Sequence, residues 1–556
     1  MTTAGANAWW SRSLVGILEA SGVKRVFLSP GARSAPLVSA LAGSGFDLSA
    51  HYDERGMSFA ALGWSLATGA PAVCLTTSGS AVANLLPACV EAFHSRVPLL
   101  MITADRPAEL RGTGANQTIF QPGIFGSFAR LSIDFACPGD TVDWEGQARL
   151  ARESLALLKQ GTPVHWNVPF REPLTGDDKN LPPIPQLSTI PENNLAEPEF
   201  SLPPNFFRCA TGAIVIGRLA RRDQGFVDRI LRLGDALSWP VFADALSGAR
   251  AMPGVVRHSD AILRCGEIPP PERVLHFGGS LVSKRLGQWL AACPGGQSVH
   301  VREFGDRLDP WNQQAVLRRV SIVDFCSIWA GASCGEKTWK AMWKVLDQHC
   351  AAFFAEELDF SDTPSEPAVI RRVSSQAAKL GHAMCLGNSM PVRDFDCFTS
   401  ALSAFPFPVF GNRGASGIDG NVATAAGLAM GLQSPLWAIF GDLTVLHDLP
   451  SMALLRNLPV TLVVLNNGGG GIFRMLPLDV PREWIETPHA WNFAGAAAQF
   501  GLAYRRIESM AELAQALEEN AAGPRLWEIP GDPGDNARIH ARLAARCSDI
   551  ATVWKG

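Results

Sequence analysis

Two apolar runs that end alike constrain this chain most. Leu436-Trp437-Ala438-Ile439-Phe440 stops at Gly441-Asp442, and Val460 to Leu465 stops at Asn466-Asn467, with Gly468-Gly469-Gly470-Gly471 directly beyond. Uninterrupted apolar runs of this length read as strands buried on both faces, the mark of a parallel sheet covered by helices. A helical segment between them makes a βαβ unit, so both polar ends come to the carboxyl edge of one sheet, where open α/β sheets bind ligands. An acid, an amide oxygen and the backbone carbonyls of a glycine run form an all-oxygen donor set that suits Mg²⁺ better than zinc. The glycines also let a diphosphate approach the main chain closely. As plain structure, the same residues would be a helix cap at Asp442 and an Asn-Gly turn.

The N-terminal part repeats the pattern. Arg25 to Leu28 leads into Ser29-Pro30-Gly31-Ala32-Arg33-Ser34, Phe46 to Tyr52 into Asp53-Glu54-Arg55-Gly56, Ala72 to Thr76 into Thr77-Ser78-Gly79-Ser80, and Pro98 to Thr103 into Ala104-Asp105-Arg106-Pro107. Such alternation with helical segments predicts a parallel sheet whose polar loops share one edge. Seven prolines between 182 and 204 predict an extended linker. A second α/β unit follows, with strands over Gly212 to Ile216, Pro240 to Phe242, Arg273 to Phe277 and Ser298 to Val301, and the polar region 359–367 precedes the last one. A chain of 556 residues is too long for one core. The expected fold is therefore α/β with three domains, residues 1–185, 205–350 and 365–556, each a mainly parallel sheet flanked by helices.

Charge narrows the partners. With 48 basic against 52 acidic residues, net −4, the chain has no general electrostatic hold on nucleic acid or an anionic membrane. An anionic substrate must be held by local arginines. No stretch approaches the ~20 apolar residues that span a bilayer, so no membrane insertion is expected. Ser11-Arg12-Ser13 and Glu19 interrupt any secretory core, and 12 cysteines without a C-x-x-C pair read as reduced thiols, so the expected location is cytoplasmic.

Gly441-Asp442 followed by Asn466-Asn467 resembles the thiamine-diphosphate motif of the acetolactate synthase and pyruvate decarboxylase superfamily. Longer phrases narrow the likeness: SPGARSAPL at 29–37, HYDERGMSFAALG at 51–63, TTSGSAVANLLPA at 76–88, GANQTIFQPGIFG at 114–126, GNSMPVRDFD at 387–396, GNRGASGIDG at 411–420 and NNGGGGIFRMLP at 466–477. Together they resemble one branch, the 2-succinyl-5-enolpyruvyl-6-hydroxy-3-cyclohexene-1-carboxylate synthases of menaquinone biosynthesis. The middle region is matched chiefly by SKRLGQW at 283–289.

The resemblance implies thiamine diphosphate with Mg²⁺ or Mn²⁺, the metal held by Asp442, Asn467 and the backbone of Gly469. It implies a cofactor site of Glu54, Gly414, Ser416, Ile418, Gly441, Asp442, Leu443, Asn467, Gly469, Gly470 and Ile472, with Glu54 against the aminopyrimidine nitrogen and Ile418 bending the cofactor. Glu54 on its own would read as a helix N-terminal acid facing the dipole. In this superfamily the glutamate and the diphosphate site come from different subunits, which implies a homodimer or a dimer of dimers. The implied reaction decarboxylates 2-oxoglutarate and adds the resulting carbanion in a 1,4 fashion to isochorismate. Both substrates carry two carboxylates, which favours arginine for its bidentate geometry. Carried over by motif, the substrate residues are Arg33, Arg106, Asn116, Gln117, Lys284, Ser389, Arg393, Arg413, Phe473 and Leu476, with Glu54, Arg33, Arg393, Arg413 and Gln117 nearest the chemistry. Taken singly, each cation would read as a solvated surface charge. One departure stands out: Ala32 replaces the serine that often follows Pro-Gly in this branch.

Other classes leave their own signatures. Gly331-Ala332-Ser333-Cys334-Gly335 matches the G-x-S-x-G elbow of serine hydrolases, although no His and Asp partners can be assigned to it. A regulatory protein that kept the fold would retain the cofactor without decarboxylation. Another thiamine-dependent 2-oxoacid decarboxylase or carboligase is the nearer alternative.

Overall fold

The computed structural model describes the chain apart from residues 140–141, 177–180, 185–200, 204, 221–222, 267, 303–309, 312–314, 333–336, 403–405, 520–522 and 548–556. Ser333 of the elbow motif and most of the proline-rich stretch lie outside the described residues.

Among the described residues the strands form three sheets, and every pairing in them is parallel. The first holds β1 (Arg25–Leu28), β2 (Asp47–Ala50), β3 (Ala72–Thr76), β4 (Leu99–Asp105), β5 (Leu131–Asp134) and β6 (Val164–Pro169), in the order β2-β1-β3-β4-β6-β5. The second holds β7 (Gly212–Ile216), β8 (Val241–Ala243), β9 (Arg273–Phe277), β10 (Ser298–Val301) and β11 (Val316–Arg318), ordered β11-β10-β9-β7-β8. The third holds β12 (Ala383–Leu386), β13 (Val409–Phe410), β14 (Leu436–Gly441), β15 (Val460–Asn466), β16 (Ala503–Arg506) and β17 (Arg525–Pro530), ordered β13-β12-β14-β15-β17-β16. The first and third sheets therefore share one topology, and the second follows it through its first four strands. In all three the chain turns back between the first and third strands, the switch point at which such sheets open a crevice.

Burial explains the sequence pattern. Every residue of β3, β4, β6 and β15 is buried, so both faces of these central strands carry mainly apolar side chains, and the polar ones in β4 and β6, Thr103, Asp105, His165 and Asn167, are hydrogen-bonded to one another. Edge strands β2, β5 and β16 are short and largely open to solvent, and they carry mixed sequences.

The chain packs as two compact units, one of residues 1–195, 412–433 and 448–455, the other of 196–411, 434–447 and 456–556. The core of the first gathers Val26, Leu75, Ile102 and Trp166 from its sheet against Trp10, Leu14 and Leu18 of the helix Thr3–Ala20. Within the same unit the helix Glu54–Thr68 lies against the helix Asn421–Leu432, so close that a methyl group on Gly63 would strike the Thr424 carbonyl and one on Gly427 the Ala60 carbonyl. In the second unit one core runs through two sheets, joining Phe242, Trp289 and Trp343 to Leu386, Ile439 and Val463. Among the described residues no helix is long and apolar enough to cross a membrane.

Candidate active site

At the carboxyl end of β14, Asp442 opens the short helix Asp442–His447. Its Oδ1 accepts the Leu443 N–H at 2.6 Å, as a cap would. Its Oδ2, however, reaches the loop beyond β15 and accepts the N–H groups of Gly468 at 2.7 Å and Gly469 at 3.0 Å. The carboxylate thus ties together the two strand ends singled out in the sequence. Gly469 sits at φ +145°, and a methyl group there would press on the Glu486 carbonyl, so the position requires glycine. The strap Glu486 to His489 clamps the loop: Gly470 donates to the Glu486 carbonyl at 2.7 Å and His489 donates to the Gly468 carbonyl at 3.0 Å. The His489 ring stacks on Trp491 and brings Nε2 to 3.3 Å from Asp442 Oδ2, near enough to feel its charge but not aligned as a hydrogen bond.

Asn467 donates from Nδ2 to Glu366 Oε1 at 2.8 Å, and its Oδ1 is buried with no donor. Burial pushes the Asp442 carboxyl above its ordinary value despite the amides and His489. It also pushes Glu366 up to about 7, with the charge of Asp394 adding to the effect. A desolvated carboxylate and an orphaned amide oxygen held in one pair of loops are what a cation relieves. The Gly469 carbonyl accepts from Gly471 at 3.0 Å and retains its second lone pair. These residues fit a hard divalent cation with a diphosphate completing its shell. In the same loops Gly441, Leu443, Gly470 and Ile472 are half-buried, while Phe473 and Leu476 are exposed.

Glu54 is the first residue of its helix, but Asp53 performs the capping, accepting from Arg55 at 2.9 Å and Gly56 at 3.4 Å. The half-buried Glu54 carboxylate receives Asn84 Nδ2 at 3.4 Å, so it is not spent on the helix end. Buried Arg106 donates to the Ser78 hydroxyl and, at 3.1 Å, to the Gln117 carbonyl, and Gln117 Nε2 donates to the Ser78 carbonyl at 2.8 Å. Arg33 is buried too, donating to the Phe170 carbonyl at 3.0 Å and pairing with Glu172 at 2.7 Å. Burial first, and the charge of Arg33 second, lower Arg106, while Asp105 and Glu172 act in the opposite sense. Asn116 is exposed beside Gln117.

Three family models match in sequence: the N-terminal TPP binding domain of thiamine pyrophosphate enzymes over residues 9–124, the middle domain over 199–382, and the C-terminal TPP binding domain over 402–529. The 2-succinyl-5-enolpyruvyl-6-hydroxy-3-cyclohexene-1-carboxylate synthase of Rubrobacter xylanophilus is 39% identical, across 97% of this chain and 98% of its own. Those of Salinibacter ruber, at 37% across 96% of each chain, and Shewanella frigidimarina, at 35% across 93% and 94%, are similar throughout as well. The chain belongs to this synthase family. It is accordingly a thiamine-diphosphate-dependent enzyme that joins decarboxylation to carbon–carbon bond formation.

Against that family, the remaining residues sort by compact unit. Arg413, Gly414, Ser416 and Ile418 share the first unit with Glu54, Arg33, Arg106, Asn116 and Gln117. The second holds the metal candidates with Ser389, Arg393 and Lys284. Ser389, at φ +70°, precedes the helix Met390–Phe398, and Arg393 one turn on donates to its carbonyl. Lys284 is exposed at the start of the helix Lys284–Ala291, beside the second sheet.

Two supporting residues escaped the sequence reading. Glu91, on the helix Leu86–Ser95, is 2% exposed and accepts the Gly414 and Ala415 N–H groups and the Ser95 hydroxyl. Its signal was a single acid on an otherwise apolar face with Ala88 and Ala92. Fully buried Gln121 accepts from Gly79 at 3.0 Å and donates to the Ala104 carbonyl at 3.1 Å and to Asn167 at 3.0 Å, bracing the loop that carries Gln117. A glutamine in a loop, here between Phe120 and Pro122, gives no such signal.

Proposed function

We propose that this enzyme decarboxylates 2-oxoglutarate and adds the resulting carbanion to isochorismate in a 1,4 fashion, giving 2-succinyl-5-enolpyruvyl-6-hydroxy-3-cyclohexene-1-carboxylate for menaquinone biosynthesis. The observation that carries the reading is the orphaned Asn467 Oδ1 in the loop that Asp442 ties down, in a chain similar to such synthases from end to end. Thiamine diphosphate, when bound, supplies the nucleophilic carbon and the electron sink that loss of carbon dioxide needs. Asp442, Asn467 and the Gly469 carbonyl hold Mg²⁺ or Mn²⁺, and Gly441, Leu443, Gly470 and Ile472 line the diphosphate end. Gly414, Ser416 and Ile418 shape the cofactor from the loop anchored on Glu91.

Glu54 holds the proton at the aminopyrimidine ring nitrogen, a task for which its uncapped, half-buried carboxylate is available. Arg33, Arg106, Arg393, Arg413 and Lys284 supply positive charge for the four substrate carboxylates, with Asn116, Gln117 and Ser389 as neutral donors. Phe473 and Leu476 form an apolar wall. The working form is a cytoplasmic homodimer or dimer of dimers, with domains at 1–185, 205–350 and 365–556 following the three sheets.

The test is an assay of purified protein with thiamine diphosphate, Mg²⁺, 2-oxoglutarate and isochorismate, omitting each in turn. Carbon dioxide release and loss of isochorismate absorbance, both requiring cofactor and metal, are expected. Carbon dioxide without isochorismate consumption would change the acceptor, and neither signal from folded protein would overturn the reading.

A further inference from the structure

The two ends of an asparagine side chain are nearly the same size, so the partner decides which end faces a metal. Only the oxygen can ligate. At Asn467 the partner is Glu366, whose Oε1 receives Nδ2 at 2.8 Å while Oδ1 is left buried without a donor.

Glu366 has a simpler explanation to overcome. It is the first residue of the helix Glu366–Leu380, where an acid serves the helix dipole. The capping, however, is done by Ser365, which accepts from Ala368 at 3.4 Å. A glutamate at this position could meet the dipole with its carboxylate in water, yet Glu366 is only 8% exposed and turned toward Asn467. Buried Asp394 pushes Glu366 further up, and His540, whose Nε2 lies 3.2 Å from Asp394, opposes it. Placing a carboxyl here costs desolvation, and among the described residues its side-chain hydrogen bond toward the proposed site goes to the Asn467 amide.

We propose that Glu366 is the positioning residue of the metal centre, holding the Asn467 amide with its nitrogen inward so that Oδ1 is presented to the cation. The inference rests on Asp442, Asn467 and Gly469 being the metal set. Glutamine at 366 would remove the directional constraint, because its own amide can donate or accept and so tolerates either orientation of Asn467. Both residues line a cavity of about 320 Å³, which gives the substituted side chain room without repacking.

The experiment follows Mn²⁺ binding by the electron paramagnetic resonance of the free ion, with thiamine diphosphate present, at one mildly alkaline pH. Wild type is compared with Asp442→Ala, Glu366→Gln, Asn467→Asp and the double variant Glu366→Gln/Asn467→Asp. Glu366→Gln is expected to weaken Mn²⁺ by about 10- to 100-fold, the usual effect of losing a group that orients a ligand. Its thermal midpoint without metal should stay level or rise, since a buried acid has become a neutral amide. Asn467→Asp sets two carboxylates against each other and should also bind weakly. In the double variant the amide introduced at position 366 donates to the carboxylate introduced at position 467, and most of the lost affinity should return. Unchanged affinity in Glu366→Gln beside a weakened Asp442→Ala would overturn the role of Glu366 alone. Wild-type affinity in Asp442→Ala would overturn the metal set instead. If Glu366→Gln proves too unstable to measure, failure of the double variant to improve on Asn467→Asp rejects the inference.

Discussion

The Glu91 carboxylate holds Gly414 by its backbone N–H at 2.8 Å, and its second oxygen takes the next N–H, of Ala415, at 2.7 Å. A neutral side chain of this length does not offer two acceptors in that fork. Glu91→Gln turns an NH₂ group toward one of the two donors and leaves a part-buried N–H unpaired, at a cost of about 1 kcal/mol. The loop from Arg413 to Ile418 then loosens. Thiamine diphosphate affinity, measured by calorimetric titration, is expected to fall about 10-fold for each 1.4 kcal/mol lost at the loop. Wild-type affinity would show that the loop holds its shape without Glu91.

Glu54 makes the opposite prediction, on chemistry and not on binding. Because Asp53 caps the helix, Glu54→Gln should fold normally and retain the cofactor. Turnover should nearly vanish, since an amide cannot exchange a proton with the ring nitrogen. Near-normal carbon dioxide release by the variant would remove Glu54 from the chemistry.

What the sequence displayed, and what it hid, follows from burial. β14 and β15 are buried throughout except at Gly441, so their apolar runs and polar ends were legible together. β5 and β16, at sheet edges, are partly or fully exposed along most of their length, and their mixed sequences look like loops. The tie between the two strand ends was legible because glycine and asparagine at strand ends are chemically specific. Glu366 was not: it lies 101 residues from Asn467, and only the parallel sheet, which brings the start of its helix to the edge where β15 ends, makes them partners. Arg33 and Arg106 were legible as cations, but their ties to Glu172, Phe170 and Ser78 depend on side-chain packing that spacing does not encode.

The crossing of helices Glu54–Thr68 and Asn421–Leu432 depends on two glycines facing carbonyls across it. Gly427→Ala adds a methyl group where the Ala60 carbonyl already lies and should destabilise the protein by about 1–3 kcal/mol through overpacking. Gly495, in the helix Ala494–Phe500, has no atom within 4 Å of the same added methyl. Gly495→Ala should therefore be neutral or stabilise by up to about 1 kcal/mol through helix propensity. Urea denaturation of the two variants decides, and equal midpoints would contradict the close crossing.

His165 sets an acid limit on the first unit. The ring is fully buried between the hydroxyls of Thr103, at 2.8 Å, and Ser132, at 2.9 Å, with Phe125 edge-on to it. Burial lowers its pKa from 6.5 to about 3. A histidine depressed in the folded state binds protons more readily once unfolded, so its contribution is complete above 6.5 and is lost as pH falls toward 3. Between neutrality and about pH 5 this one group should remove about 2 kcal/mol of stability, at 1.36 kcal/mol per unit. Asp448, raised by burial to about 6, and Asp105, also raised by burial, act in the opposite sense as pH falls, and His51, lowered by burial, acts in the same sense as His165, so the total stability curve mixes these groups. Comparing wild type with His165→Gln by urea denaturation across this range isolates the histidine. The gap between the two proteins should close on acidification, because only the wild type has a neutral ring to protonate. A gap that stayed constant from pH 7 to about pH 5 would mean that His165 gains its proton without unfolding.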